Sequence, residues 1–290
     1  MVDSDKYGFV GLGDMGGPMA ANLARGGFQL IVYDKAGTEN LAPSVAEIGA
    51  GIEDVARAAQ IVFVSVPDAA ASLEVARSLV AVENRNTQTL VNLSTVGVEA
   101  TGSIVKTLAD FGIDYVDAPV SGGRAGAIRG TVTVMWSGSA ERMELIRPVL
   151  DSFAGSVFFV GPTPGQGQAM KLLNNYLSAV AMTATSEAIV FGLSHSLDMK
   201  TMLDVANVST GQNSATQDKF PNRILTSTYD AGFRMALMDK DVALYLSEAK
   251  SAGTPASLCE QVATYWQKGM KQFPDGDFTE IFKVIRGEID

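Results

Sequence analysis

The run Tyr7-Gly8-Phe9-Val10-Gly11-Leu12-Gly13-Asp14-Met15-Gly16 narrows what this chain can fold into more than any other feature. It is a short apolar strand pattern that breaks into spaced glycines and reopens as a helical stretch from Pro18 to Arg25. Gly11 permits a tight reversal, Gly13 lets backbone N–H groups approach a pyrophosphate, and Gly16 lets the helix pack closely on the strand. The helix dipole adds an attraction for the negative charge. A glycine triplet alone also serves plain chain reversal, so the context decides. The second apolar run ends at Asp34, near the spacing of ~20 residues at which an acid accepts hydrogen bonds from the adenosine ribose. That arrangement favours NAD, while Lys35 beside it leaves room for the extra phosphate of NADP. The predicted cofactor contacts of this region are Gly11, Leu12, Gly13, Asp14, Met15, Gly16, Asp34 and Lys35.

From Tyr7 to about Val160, short β-branched runs alternate with helical patterns. The runs are Gly8–Val10, Leu30–Tyr33, Ile61–Ser65, Thr89–Asn92, Tyr115–Val116 and Thr131–Met135. This rhythm predicts an α/β domain with a mostly parallel, doubly wound sheet, a Rossmann domain over residues 1–164. After Gly161-Pro162-Thr163-Pro164-Gly165 the pattern changes. An Ala-, Leu- and Met-rich stretch from Gln166 to Phe191 predicts a long interdomain helix, and helical spacing recurs at Met199–Val208, Met235–Ala252 and Ser257–Lys271. Residues 165–290 therefore read as an all-helical domain for substrate and oligomerisation. The seven methionines Met170, Met182, Met199, Met202, Met235, Met238 and Met270 read as adaptable packing there.

A single cysteine, Cys259, and a single histidine, His195, leave no ligand cluster for a metal, and the lone histidine does not support a hydrolase triad. The formal charge of −10 repels phosphate backbones and argues against a nucleic-acid partner. The N-terminal residues Met1–Lys6 are acidic where a signal peptide is basic, and no unbroken apolar run reaches the ~18 residues of a membrane span. The expectation is a cytoplasmic chain with no membrane partner.

Four separated segments resemble the β-hydroxyacid dehydrogenase family, in particular its 3-hydroxyisobutyrate dehydrogenase-like members. They are Phe9–Leu23, Asp117-Ala118-Pro119-Val120-Ser121-Gly122-Gly123, Gly165-Gln166-Gly167-Gln168-Ala169-Met170-Lys171-Leu172-Leu173-Asn174-Asn175, and Lys240-Asp241. The resemblance implies interconversion of a small β-hydroxy acid and its semialdehyde. Lys171 is then the general acid/base, and Ser121, Gly122, Gly123 and Asn175 hold the substrate carboxylate. Val66, Pro67, Thr95 and Lys240 join the cofactor contacts, Asp241 orders the cleft, and the assembly is a homodimer or homotetramer. The residues themselves agree with this chemistry. Oxidising an alcohol needs a base for the hydroxyl proton, and one lysine serves as base and, in reverse, as acid. Asn175 lies four residues after Lys171 and shares its helix face, while Asn174 points elsewhere. A Ser-Gly-Gly turn offers a hydroxyl and backbone N–H groups to a carboxylate. Arg124, next in sequence, either contacts a second acidic group or faces solvent. Lys240 and Asp241 are adjacent on a helix and are expected to serve different partners. Phe233 fits a core position better than a pocket wall.

The segment Ser209–Pro221 departs from the family pattern. Asn213, Thr216 and Gln217 stand where several relatives place a tryptophan, which favours a more polar or larger substrate than 3-hydroxyisobutyrate. Two other readings compete. Imine reductases on this scaffold typically replace the lysine that this chain retains. A non-catalytic cofactor-binding relative would lose that lysine or add basic modules, and this chain does neither.

Overall fold

A computed structural model of the chain describes residues 6–288. Residues 1–5, on which the leader expectation mostly rests, and 289–290 lie outside the described residues. Contacts divide the chain into two units that meet in sequence between Lys171 and Leu172.

The first unit is built on a nine-stranded sheet. Its strands are β1 (Tyr7–Val10), β2 (Leu30–Tyr33), β3 (Glu47–Ile48), β4 (Ile61–Val64), β5 (Thr89–Asn92), β6 (Asp114–Asp117), β7 (Val120–Ser121), β8 (Val132–Ser137) and β9 (Ala154–Gly161). The order β3-β2-β1-β4-β5-β6-β8-β7, with β9 also on β8, is parallel from β3 through β6. β8 then runs antiparallel to β6 and β7 and parallel to β9. The helices α1 (Gly16–Arg25), α2 (Ile52–Ala58), α3 (Ala69–Val80), α4 (Val98–Ala109), α5 (Gly123–Arg129), α6 (Ala140–Leu145) and α7 (Arg147–Asp151) fill the connections.

The central strands are apolar on both faces because helices cover both. Alternation along each strand sends residues to separate cores. Phe9, Val32, Phe63, Val91 and Val116 enter one core with Leu23 and Phe153. Val10, Ile31, Val62, Val64 and Leu90 enter the other with Val75, Leu79 and Ile104. Each of these large side chains contributes about 1.5–3 kcal/mol by leaving water. Strands β3, β7 and β9 were not expected from the sequence. The first two span two residues each, too short for a periodic signal, and β9 alternates poorly because both Phe158 and Phe159 are exposed.

The helix α8 (Gln166–Ser194) is 29 residues long and starts in the first unit. By length and apolar composition it is able to cross a bilayer, although Thr183, Thr185, Ser186 and Glu187 break its apolar runs. In the second unit it buries Ala179, Met182 and Ile189 in the core and also buries Thr183 and Ser186, whose hydroxyls bond back to Ala179 and Met182 carbonyls. It is a core helix. The rest of this unit is helical: α9 (Met199–Asn207), a π-type turn of helix at Ala215–Ile224 that accommodates Pro221, α10 (Met235–Ser251), α11 (Ser257–Gln272) and α12 (Ile281–Arg286). Trp266, Phe220, Phe282, Met235 and Met238 form its centre, and Phe233 packs against that centre edge-to-face with Phe278. Met170, by contrast, is exposed. His195 follows the end of α8 and lies over the Phe191 ring, its Nδ1 bonded to the Phe191 carbonyl oxygen.

Candidate active site

The glycine turn is held from three sides within the first unit. Gly11 has φ +93°, and a Cβ there would sit 2.1 Å from the Ser65 carbonyl oxygen, so no side chain fits. Asp34 fastens the turn from the end of β2: its Oδ2 accepts from the Leu12 N–H at 2.6 Å and its Oδ1 from the Ala36 N–H at 2.7 Å. The third side is α1, whose first turn closes with the Gly17 N–H donating to the Gly13 carbonyl at 3.0 Å. Gly13 and Asp14 are exposed, and space is open beside Gly13. An exposed, side-chain-free turn at a helix start, with a fixed carboxylate beside it, suits a dinucleotide. Met15 is half-buried against the core, so its backbone rather than its side chain belongs to the turn. Lys35 is exposed and pairs with Glu74 at 2.8 Å, which raises its pKa.

The ends of β4 and β5 meet beside this turn. Ser94 Oγ accepts from the Val66 N–H at 2.9 Å, tying the Val66-Pro67 bend to the loop that carries Thr95. That loop is joined in turn to the start of α8. Gln168 Nε2 donates to the Ser94 carbonyl at 3.0 Å, and its Oε1 accepts from Val96 N–H at 2.9 Å and Gly97 N–H at 3.3 Å. The helix start also rests on β6 and β8. Asp117 Oδ1 accepts from Gly165 N–H at 2.7 Å, its Oδ2 from Gln168 N–H at 2.9 Å, and Ser137 Oγ from Gly167 N–H at 3.0 Å. These groups satisfy N–H donors that a helix start leaves without intrahelical partners. Burial pushes the Asp117 carboxyl above the usual carboxylate range, against the lowering effect of the Ser137 hydroxyl and the two amides.

Ser121, Gly122 and Gly123 form the turn from β7 into α5, with Gly122 and Gly123 at φ +126° and +61°. Arg124 lies 3.7 Å from Asp14, and both side chains are more than half exposed. The structure thus brings the Ser-Gly-Gly turn alongside the glycine turn and gives Arg124 an acidic neighbour within the chain. Lys171 follows Gln168 by three residues on α8 and is 7% exposed, where lysine is rarely found.

The second unit groups the other candidates. Asn175 is buried, and its Nδ2 donates to Asp241 Oδ2 at 2.5 Å. Asn174 does not point away: its Nδ2 donates to Asn175 Oδ1 at 3.1 Å, so a neighbour set aside in the sequence orients the amide. Lys240 and Asp241, adjacent on α10, do meet: Lys240 Nζ lies 3.2 Å from Asp241 Oδ1, while Asp241 Oδ2 is given to Asn175. In the Ser209–Pro221 segment, Asn213 Oδ1 accepts from Ala215 and Thr216 N–H groups, and Thr216 is buried. Capping occupies those two residues, while Gln217 is exposed. Asp117 and Gln168 stand within motifs of the sequence, where nothing local gives either a role.

Comparison with known proteins follows the same two-part division. Residues 6–161 match the NAD binding domain of 6-phosphogluconate dehydrogenase, and residues 165–285 match the NAD-binding of NADP-dependent 3-hydroxyisobutyrate dehydrogenase. A 2-(hydroxymethyl)glutarate dehydrogenase from Eubacterium barkeri is 35% identical over 93% of this chain and 90% of its own. An NAD-dependent L-serine dehydrogenase from Pseudomonas aeruginosa is 31% identical over 97% of each chain. Among solved structures, the Mycobacterium tuberculosis 3-hydroxyisobutyrate dehydrogenase with L-serine superimposes with a TM-score of 0.87 at 26% identity. That match covers 97% of this chain and 99% of the other.

Proposed function

The chain belongs to the β-hydroxyacid dehydrogenase family, and on that premise we propose that it interconverts a small, polar β-hydroxy acid and its semialdehyde with Lys171 as general acid/base. The observation that carries this reading is the near-complete burial of Lys171 on a helix start that is hydrogen-bonded to three strand-end segments. The turn Gly11–Gly16 and Asp34 would hold NAD, with Val66, Pro67, Thr95 and Lys240 as further contacts. Lys35 is taken up by Glu74, which supports NAD over NADP. NAD, when bound, supplies the hydride acceptor.

The chain's own residues supply the proton chemistry and the grip on the substrate. The Lys171 amine takes the proton from the substrate hydroxyl, and in the reverse direction its ammonium returns a proton to the carbonyl oxygen. The Ser121 hydroxyl and the N–H groups of Gly122 and Gly123 hold the carboxylate. Asn175, oriented by Asp241 and Asn174, fixes the substrate against rotation. The relatives acting on L-serine and 2-(hydroxymethyl)glutarate support a substrate more polar than 3-hydroxyisobutyrate.

Lys171→Ala tests the reading. Turnover is expected to fall by at least ~100-fold, the loss typical of a missing general acid/base, with little change in NADH affinity. Near-normal turnover removes Lys171 from the mechanism. The substrate is read from one panel of 3-hydroxyisobutyrate, L-serine and 2-(hydroxymethyl)glutarate, each with NAD and with NADP. A preference for 3-hydroxyisobutyrate overturns the polar-substrate proposal.

A further inference from the structure

Gln168 is fully buried and makes four hydrogen bonds to residues outside α8, yet only one of them, from its backbone N–H to Asp117, concerns the helix start alone. Its side chain turns away from α8 and completes the backbone of another segment. The Ser94 carbonyl and the N–H groups of Val96 and Gly97 all bond to its amide. Both ends of that amide are used with the correct polarity: Nε2 meets a carbonyl and Oε1 meets two N–H donors. A buried primary amide satisfied in this way has one orientation, because flipping it would set donor against donor and acceptor against acceptor. The loop so held contains Thr95 and is tied through Ser94 Oγ to Val66. Lys171 stands one helical turn further along. Gly167, between the two anchor points, leaves no slack: a Cβ there would meet Asp117 Oδ2 and the Met135 carbonyl oxygen at 2.6 Å.

We propose that Gln168 is a positioning residue that fixes Lys171 in register with the cofactor-side loop Ser94–Gly97. This inference rests on Lys171 as the acid/base and concerns how its distance from the reacting carbon is set. All the groups involved belong to the first unit. Without the amide, three buried backbone groups lose their partners and the helix start slips against the loop, which stays tied to Val66 through Ser94 Oγ. An error of about 1 Å in such a register costs on the order of 100-fold in rate.

Gln168→Met keeps the side-chain volume and removes both polar ends. In the free chain, amide exchange at Val96 and Gly97 is expected to accelerate by at least ~10-fold. NADH affinity, measured by fluorescence titration, is expected to stay within about threefold while kcat falls by roughly 10- to 100-fold. The primary isotope effect with NADH deuterated at the transferred hydrogen is expected to increase as the chemical step becomes slower. Unchanged exchange, or an unchanged kcat and isotope effect, overturns the proposal. If Gln168→Met does not fold, Gln168→Glu, which keeps the acceptor and sets a carboxylate oxygen against the Ser94 carbonyl, is expected to show the same signs. Wild-type behaviour there overturns the proposal equally. A second outcome separates this idea from the reading beneath it. Adding Gln168→Met to Lys171→Ala is expected to cost less than about threefold further, because the amide acts through the lysine. Full additivity refutes the positioning role even when Lys171→Ala alone has lost its turnover. Near-normal turnover in Lys171→Ala instead refutes the acid/base reading, whatever Gln168 does.

Discussion

Replacing Asp117 by asparagine tests how the long helix is seated. The carboxylate accepts the Gly165 and Gln168 N–H groups on separate oxygens, and an amide can serve only one of them. Whichever way the substituted amide turns, a buried N–H faces an NH2 group, at a cost of about 1–3 kcal/mol. Against this stands the relief of burying a charge, the larger influence on the Asp117 pKa. That relief offsets the loss near neutral pH, so the full destabilisation of roughly 1–3 kcal/mol, or about 2–4 °C per kcal/mol in a domain of this size, is expected in acid, where the protonated carboxyl's hydroxyl oxygen, unlike an NH2 group, still offers a lone pair. The pH dependence has a definite sign. The folded pKa of Asp117 is raised, so its contribution is fully present below the unfolded value of ~3.9 and is lost as pH rises through the folded value. The gap between wild type and Asp117→Asn is therefore widest in acid, narrows as pH rises, and is flat above the folded pKa. Trp136, fully buried in β8, reports on the first unit in a Trp266→Phe background. Urea unfolding followed by its fluorescence between about pH 4 and 8, a range that spans the rise from the ordinary carboxylate value, gives the curve. An unchanged stability, or a gap that widens toward neutral pH, refutes the reasoning.

Two other substitutions probe the remaining contacts. Asp34→Ala removes the acceptor for Leu12 and Ala36 N–H and, with it, the proposed ribose contact. We expect NADH affinity to fall about 10-fold, from the loss of one or two hydrogen bonds to a charged group, with NADPH affected less. Fluorescence titration of both cofactors checks this, and an unchanged affinity ratio contradicts it. Asp241→Ala strands the buried Asn175 amide and removes the Lys240 ion pair. It is expected to cost about 2–3 kcal/mol in urea unfolding, whereas Asp241→Asn, which still accepts from Asn175, loses less than half of that. Equal losses would show that the hydrogen bond to Asn175 contributes nothing.

The sequence is most readable where the physics is local. Gly11, Gly16 and Asp34 announce themselves because a tight turn, a helix start and a strand end leave residue types at short, regular spacings. The Lys171 to Asn175 spacing is legible for the same reason, since both lie on one helix face. Asp117, Ser137 and Gln168 were opaque because their partners lie 30 to 74 residues away in the chain. A polar side chain in an apolar run looks the same whether it meets water or a buried amide. Spacing along a helix does not show that adjacent long side chains meet, as Lys240 does with Asp241 and Asn174 with Asn175. The strand β9 was hidden by exposed Phe158 and Phe159, which break the in-out alternation.

The seat of α8 also has an order in time. Its parts, the loop Ser94–Gly97, Asp117 and Ser137, all precede Gln166 in the chain. Domains fold as units, N-terminal first, as synthesis proceeds. The strands that shape the seat therefore leave the ribosome before the helix does, and the first unit closes only when the chain through Lys171 has followed them. Most of α8 belongs to the unit that is made afterwards.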